Sequence, residues 1–380
     1  MDRSRNSLLE IALVFLKVGL TAFGAATIGV MQMEVQEKRG WLSRERYLEG
    51  LSLIYMLPGA TATQLAIFLG YERAGWRGGL LAGTCFVVPA FFIMLALTLG
   101  YFAFGTTLLM KGALYGMGAV AMAVFAAAAL RLAKPAAASL PQAAIALGAM
   151  LALAFTPLGI VPVLLLAAGG GITLFCSRRV GAAILGGLAL ALALLPSYRA
   201  SVLWTSSAPE LASVGIFFFQ VGALSFGGGL MILAFIQNHV VGQFGWLTQT
   251  EFIDGLALGQ LMPGPMIMVA AYVGYKLAGL AGAALAAGAI FLPSFILMLA
   301  VLPVFARVAG LAWAKAAIRG ITPAVVGMLA ITLARMAPEA VPDLAAVAIF
   351  AAALASMIKW QIGPLRLLGL GAVIGMLTLP

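Results

Sequence analysis

The sequence predicts an all-α polytopic membrane protein, and its composition is the first reason. Of the 380 residues, 63% are hydrophobic and only 9% are charged. The stretches 78–99, 112–130 and 279–301 contain no charged residue. Each is long enough to cross about 30 Å of hydrocarbon at a helical rise of about 1.5 Å per residue. This composition excludes an ordinary soluble domain.

The second reason is that the chain repeats itself, with a separation of 203 to 205 residues. The matched segments are 15–19 (FLKVG) and 218–222 (FFQVG), 23–24 and 226–227, 41–43 and 246–248, 58–59 and 263–264, 70–71 and 274–275, and 89–91 and 293–295. We therefore predict an N-terminal membrane repeat over 1–176, a linker over 177–204 with one transmembrane helix, and a C-terminal membrane repeat over 205–380. Duplicated halves with interrupted helices are typical of transporters, whose site lies between the halves.

Six membrane segments are expected in each repeat. They are 8–30, 48–70, 78–102, 108–131, 139–155 and 158–176, then 212–236, 253–275, 279–305, 313–335, 341–357 and 363–379, with one more at 180–196 in the linker. Six crossings and one linker helix would invert the second repeat relative to the first. The distribution of Lys and Arg favours a cytoplasmic N-terminus. The charged stretch 34–46 is compatible with a surface helix or with part of a re-entrant structure, which would change this count of crossings.

Each repeat contains one apolar segment that a Pro-Gly pair interrupts. Pro58-Gly59 and Pro263-Gly264 fall near the middle of the segments 48–70 and 253–275. Proline removes a backbone donor, and a broken helix at membrane depth survives only where protein or water satisfies the freed groups. The half-helix that follows presents unpaired N–H groups, which favour an oxyanion. A plain proline kink is the alternative, but recurrence at matched positions favours a functional break.

Further candidate residues surround these breaks. Glycines and aromatic residues of the two Gly-rich elements suit either close helix packing or a loop whose amides face a ligand. Lys17 is a charge inside an apolar segment, with Gln220 as its neutral counterpart, and snorkelling to the interface is its alternative. The predicted substrate-binding set is Lys17, Gly19, Phe23, Gly24, Pro58, Gly59, Thr61, Thr63, Gln64, Gln220, Gly222, Ser225, Phe226, Gly227, Gly228, Gln260, Pro263 and Gly264.

Other classes of function find little support in the composition. Two cysteines and one histidine cannot form the usual tetrahedral zinc site, so we expect no metal and no cofactor. The net charge of +10 is typical of Lys- and Arg-rich cytoplasmic loops, or else it indicates a preference for anions. We expect membrane lipid as a partner and no nucleic acid, and a homodimer remains open.

These residues together resemble the chromate ion transporter family, two-domain type. The resemblance rests on Phe-x-x-x-Gly-x-x-x-Phe-Gly near the start of each half, the Trp41 and Trp246 segments, the Pro-Gly breaks and the Gly-Tyr pairs, and it spans nearly the whole chain. Lys17 stands where the family commonly has a basic residue. Residues 57–60 (LPGA) depart from the Pro-Gly-Pro that 263–265 keep, and this departure bears on substrate selectivity rather than on membership of the family.

The resemblance implies export of chromate, a tetrahedral dianion, across the plasma (inner) membrane of a prokaryote, giving chromate resistance. We expect no enzyme activity and a secondary transporter that works by alternating access, driven by membrane potential or an ion gradient. A transporter of sulfate or another oxyanion is one alternative. A membrane-embedded redox enzyme and a passive channel are the others.

Overall fold

A computed structural model describes residues 2–24, 26–105, 107–136, 138–156, 158–194, 210–224, 229–304 and 311–378. Its N-terminal half contains α1 (Asp2–Thr21), α2 (Ala26–Gln32) with a π-helical turn (Met33–Glu37), α3 (Arg44–Met56), α4 (Thr61–Phe104), α5 (Leu108–Ala136), α6 (Leu140–Phe155) and α7 (Ile160–Phe175). The linker forms α8 (Arg178–Leu194). The C-terminal half contains α9 (Leu211–Ala223), α10 (Gly229–Gln237) with a π-helical turn (Asn238–Gln243), α11 (Gln249–Leu261), a 3-10 turn (Met266–Met268), α12 (Val269–Val301), a 3-10 turn (Leu302–Val304), α13 (Ala312–Ala340), α14 (Leu344–Lys359) and α15 (Pro364–Thr378).

The backbone of the two halves shares unusual local features at equivalent positions. Both α4 and α12 are interrupted by an alanine and a glycine in non-helical conformations, Ala74-Gly75 with φ of −148° and 62° and Ala278-Gly279 with φ of −146° and 60°. The hydroxyls of Ser43 and Thr248 cap α3 and α11 by accepting a hydrogen bond from the third residue of the helix. Because N-caps and left-handed glycines fix chain direction locally, these matches give both halves the same course.

The segment around Pro58-Gly59 folds back on itself. Arg46 near the start of α3 pairs with Glu72 at 2.8 Å, and a β-carbon on Gly50 would meet the Phe68 ring. These contacts place α3 antiparallel to residues 61–73 of α4, so the two helices form a hairpin. The turn Leu57–Ala60 at its end is called tip B.

The C-terminal half forms the equivalent hairpin. Glu251 pairs with Lys276, and a β-carbon on Gly255 would lie 2.5 Å from the Tyr272 ring. Helix α11 therefore runs antiparallel to the first part of α12. The turn Met262–Pro265 at the end of this hairpin is called tip B′.

The first helices also form a hairpin, so the expected crossing over 8–30 is wrong. Helix α1 ends at Thr21, Gly24 adopts φ of 51°, and α2 returns alongside α1. Lys17 pairs with Glu34 at 2.9 Å, and Glu10 accepts a hydrogen bond from Trp41 at 3.3 Å. The turn Ala22–Gly24 is called tip A. The expected crossing over 48–70 is wrong for the same reason, because tip B reverses the chain.

In the part of the chain that the structure describes, four helices are long and apolar enough to cross a membrane: Thr61–Phe104, Leu108–Ala136, Met266–Val304 and Ala312–Ala340. In the first of these, the uninterrupted part is residues 76–104. That part packs antiparallel to its equivalent in α12, since β-carbons on Gly79 and Gly83 would meet Leu299 and Phe295 at 3.3 and 2.7 Å. The halves thus pack through equivalent helices that run in opposite directions, and this interface positions the hairpin tips.

Candidate functional site

Three hairpin tips converge between the two halves. Tip A joins tip B′ through a hydrogen bond of 2.7 Å from the Gly264 N–H to the Ala22 carbonyl, and Phe23 pairs with Gly264 in a parallel bridge. Tip B contacts the opposite half, because the Ala60 N–H donates to Ser294 Oγ at 2.8 Å. Each contact joins one half of the chain to the other. The tips are therefore held by both halves together.

Glycine is required at both Pro-Gly turns. Gly59 has φ of 130° and Gly264 has φ of 95°, values that residues with a β-carbon rarely adopt. Space is short as well, since a β-carbon at Gly264 would lie 2.8 Å from the β-carbon of Ala90. Ala90 lies midway along residues 76–104, so tip B′ reaches the centre of the apolar helix that it contacts. Ser294 has a similar central place in residues 280–304, which are the uninterrupted part of α12 and the 3-10 turn after it.

A cavity of about 500 Å³ opens beside the tips. At about 30 Å³ per water molecule it holds roughly 15 waters, enough for a small tetrahedral anion and part of its hydration shell. Residues of the tips, of α5 and of the turn between α14 and α15 line it. Its lining includes Phe23, Gly24, Thr27, Thr61, Arg131, Gln260, Gly264 and Gln361.

The described residues that line the cavity include one cation, Arg131, and no carboxylate. Arg131 donates one hydrogen bond to the Met357 carbonyl at 3.2 Å, and its side chain is exposed to the cavity. An arginine in a membrane helix without a paired acid creates a positive potential, which favours an anion. The electrostatics of the cavity therefore match a negatively charged ligand.

Two polar side chains in the wall lack a hydrogen-bond partner on one atom. The Thr27 hydroxyl and Gln260 Oε1 are buried without a partner, although the Gln260 amide donates to the Ala121 carbonyl at 3.3 Å. Both residues are more than nine-tenths buried. Leaving a buried polar atom unpaired costs about 1–3 kcal/mol, so such atoms indicate a place where a ligand or water completes the bonding.

The start of α4 adds backbone donors to this wall. Thr61 and Ala62 line the cavity and form the first turn of the helix, which no side chain caps. The first N–H groups of a helix have no intrahelical acceptor and carry partial positive charge. An oxyanion in the cavity would therefore meet Arg131 and a helix N-terminus.

The structure brings part of the predicted site together. Phe23, Gly24, Thr61, Gln260 and Gly264 line the cavity. Pro58, Gly59 and Pro263 form the turns of tips B and B′. Ser225, Phe226, Gly227 and Gly228 lie outside the described residues.

Other predicted residues have different surroundings. Gly19 and Gly222 are packing positions, because a β-carbon on them would meet the carbonyl oxygens of Phe86 and Ile290. Lys17 lies in an ion cluster around Glu34, away from the cavity.

Three predicted polar side chains do not line the cavity, and two of them, Thr63 and Gln64, are buried. The Gln64 amide donates to the Pro58 carbonyl at 2.6 Å and so holds tip B from within its hairpin. Its Oε1, the Thr63 hydroxyl and Gln220 Oε1 have no partner. Thr63 and Gln64 are fully buried, whereas Gln220 is half-buried.

Sequence reasoning missed Arg131 and Thr27 as site residues. Arg131 ends a long apolar run, and the positive-inside pattern assigned it to a cytoplasmic loop. Its signal was present in the repeat, because Arg335 occupies the equivalent place 204 residues later. The two arginines bind equivalent atoms: Arg335 donates to the Leu153 carbonyl and Arg131 to that of Met357.

Comparison with known proteins agrees with this architecture. The family model described as "Chromate transporter" matches twice, at residues 9–174 and 212–376. The chain belongs to the chromate transporter family. The two matches coincide with the two halves that repeat each other in sequence. For a member of this family, the apolar helices indicate an integral membrane protein, and the homologues indicate a transport protein rather than an enzyme.

Curated relatives resemble nearly the whole chain. A chromate transport protein of Cupriavidus metallidurans is 32% identical over 98% of this chain and 94% of its own length. A probable chromate transport protein of Synechococcus elongatus is 31% identical over 94% of this chain and 91% of its own. A chromate transport protein of Pseudomonas aeruginosa is 32% identical over 91% and 86%. No solved structure matches.

Proposed function

We propose that this member of the chromate transporter family exports chromate across the plasma membrane and binds it in the cavity at the hairpin tips. The observation that carries the proposal is the cavity wall, in which Arg131, the N-terminus of α4 and Thr27 line a space where no described residue is a carboxylate. A tetrahedral dianion accepts hydrogen bonds on every side, and Arg131, the first N–H groups of α4 and the Thr27 hydroxyl are groups that can donate them.

In this proposal the halves are inverted repeats, related by a pseudo-two-fold axis in the membrane plane. The antiparallel packing of equivalent helices in α4 and α12 supports the inversion. The hairpins enter and leave on one side, so crossings come from 76–104, α5, α6 and α7. Four crossings and the linker helix α8 again invert the second half.

The hairpins also bear on the orientation of the chain. Arg39 and Arg73 both pair with Glu10, at 3.8 and 3.1 Å, which puts the hairpin bases of the N-terminal half on one side. The cations of 38–46 therefore join the cytoplasmic set, and the positive-inside pattern favours a cytoplasmic N-terminus more strongly.

Alternating access then moves the halves against each other around the tips. Because both halves contact the tips, a shift of the interface between the halves would expose the anion to one side of the membrane at a time. Moving a dianion outward across an inside-negative membrane is favourable by about 4.6 kcal/mol at 100 mV. Export by this route therefore needs no ATP.

The test is chromate flux in proteoliposomes under an imposed potential. We expect flux that reverses with the sign of the potential and that the Gly264→Ala variant lacks, while empty liposomes show none. Sulfate is added as a competitor, because it is also a tetrahedral dianion and could bind to the same hydrogen-bond donors. Potential-independent flux, or conductance steps of an open channel in a planar bilayer, would contradict the proposal.

A further inference from the structure

Two carboxylates are buried among the described residues, and their surroundings are opposite. Glu34 meets three cations, Lys17, Lys38 and Arg39, at 2.9, 2.7 and 2.5 Å. Among the described residues, Asp254 on α11 has no cation within ion-pair distance, and its one hydrogen-bond partner there is the Tyr101 hydroxyl, at 2.9 Å. A buried carboxylate without a cation is costly when ionised.

The described residues around Asp254 include groups that can exchange a proton, and none of them pairs with its carboxylate as a cation. From α4 it faces Tyr101, whose ring packs on Tyr272 of α12 at 5.5 Å. On α11 the nearest acid is Glu251, which is already paired with Lys276. From α5, Gly118 packs against Ile253, the neighbour of Asp254, and α13 and α15, which also pack on α11, contribute no described hydrogen-bond partner to it.

Asp254 also lies where it can influence the anion. It belongs to the C-terminal half, and Tyr101 belongs to the N-terminal half, so their hydrogen bond crosses the interface that moves in alternating access. Gln260 of the cavity wall is six residues further along α11, a distance of about 9 Å. At this range an ionised carboxylate repels a bound dianion, and protonation removes the repulsion.

We propose that Asp254 is a proton-binding site whose protonation accompanies binding of the oxyanion. The step is simple: the carboxylate takes one proton from the solvent and becomes a neutral carboxylic acid, and the dianion binds in the cavity at the tips. The equivalent residue of the N-terminal half, Glu49, is exposed and paired with Arg46 at 3.0 Å, so this half lacks the site. The inference rests on the proposed function, because it assigns the coupling ion of the same transporter.

The experiment is isothermal titration calorimetry of the purified protein with chromate in buffers of different ionisation enthalpy. The difference in heat between buffers counts the protons taken up with each anion. The wild type is expected to take up about one proton more than Asp254→Asn. Its Kd is expected to weaken roughly tenfold from mildly acidic to mildly alkaline buffer. Asp254→Asn, which mimics the protonated form, should keep the tighter Kd throughout. Protonation of chromate itself is common to both proteins and cancels in the comparison.

Two further variants keep the result interpretable. Glu339→Gln removes an exposed carboxylate and should behave like the wild type. Tyr101→Phe removes the hydroxyl that stabilises the ionised form of Asp254. In this variant the infrared band of the protonated carboxylic acid should therefore persist to more alkaline pH than in the wild type. The same band should be missing in Asp254→Asn. Equal proton uptake by the wild type and Asp254→Asn would overturn the inference and leave the proposed function standing. A wild type that binds no chromate at all would overturn the proposed function instead.

Discussion

Tip B and tip B′ make the same reversal with different side chains around it. After Pro58-Gly59 the chain continues with the polar residues Thr61, Thr63 and Gln64, whereas after Pro263-Gly264 it continues with a proline and the apolar residues 266–269. Both glycines have positive φ, and both tips touch the spanning helix of the opposite half. The backbone of the turn is thus common to the halves, and the donors that can meet an anion belong mainly to one of them.

The largest expected effect comes from breaking the shared turn. Gly59→Ala and Gly264→Ala should each reduce chromate flux by at least about 100-fold, because a displacement of about 1 Å at a binding site has that effect. The measurement is potential-driven flux per reconstituted protein. Gly148→Ala is the matched control, since a β-carbon there meets nothing within 4 Å. Wild-type flux in either tip variant would show that the turns are not part of the site.

The comparison also shows what sequence alone can reach. The duplication, the membrane helices and the position of the Pro-Gly turns follow from matched letters and uncharged runs. The reversals of the chain at the tips cannot be predicted in this way. Two apolar helices in a row have the same hydrophobic pattern whether they form one interrupted span or a hairpin. Pairs such as Arg46 with Glu72 decide between these courses, and they join residues that one sequence gives no reason to pair. Arg131 was missed for a related reason, because only the fold turns the end of α5 towards the tips.

The next effect separates two equivalent arginines. Arg131 faces the cavity with one protein acceptor, whereas Arg335 donates to both Asn238 at 2.9 Å and the Leu153 carbonyl at 2.6 Å. Losing a charge-assisted hydrogen bond to the substrate should raise the KM of Arg131→Gln about 10- to 100-fold. The chromate KM of Arg335→Gln should stay within about threefold of the wild-type value. Initial rates at graded chromate concentrations give the KM of each variant. Equal changes of KM in Arg131→Gln and Arg335→Gln would contradict a special role of Arg131 in binding the anion.

A smaller effect concerns stability and pH. Glu34 and His239 lie 205 residues apart, at equivalent places in the two halves. Hydrogen bonds from Lys38, Lys17 and Arg39 lower the pKa of Glu34 to about 2. His239 lies beyond the predicted membrane segment 212–236 and packs on Phe235, and burial lowers its pKa to about 4.

The pKa values of Glu34 and His239 are both lower than in the unfolded chain. The stability that the ionised Glu34 and the neutral His239 contribute is therefore lost on acidification. For His239 the loss begins near the unfolded pKa of 6.5 and is complete below about 4, and it amounts to about 3 kcal/mol. For Glu34 it begins only near 4.5 and continues to about 2. Thermal unfolding in detergent, measured from about pH 6.5 down to about pH 4, should show a steeper fall of Tm for the wild type than for His239→Phe. Parallel Tm curves would mean that His239 is not buried as a neutral ring.

The smallest effect is expected for Lys17, which the sequence placed in the binding site. Its Nζ lies 2.9 Å from Glu34, and its side chain is 56% exposed, so Lys38 and Arg39 continue to neutralise that acid when Lys17 is replaced. An exposed member of an ion cluster contributes about 0–1 kcal/mol. Lys17→Gln should therefore leave chromate KM unchanged and lower Tm only slightly, in the same assays. A KM increase as large as that of Arg131→Gln would mean that the first hairpin delivers its lysine to the anion, and the cavity at the tips would then be only part of the pathway.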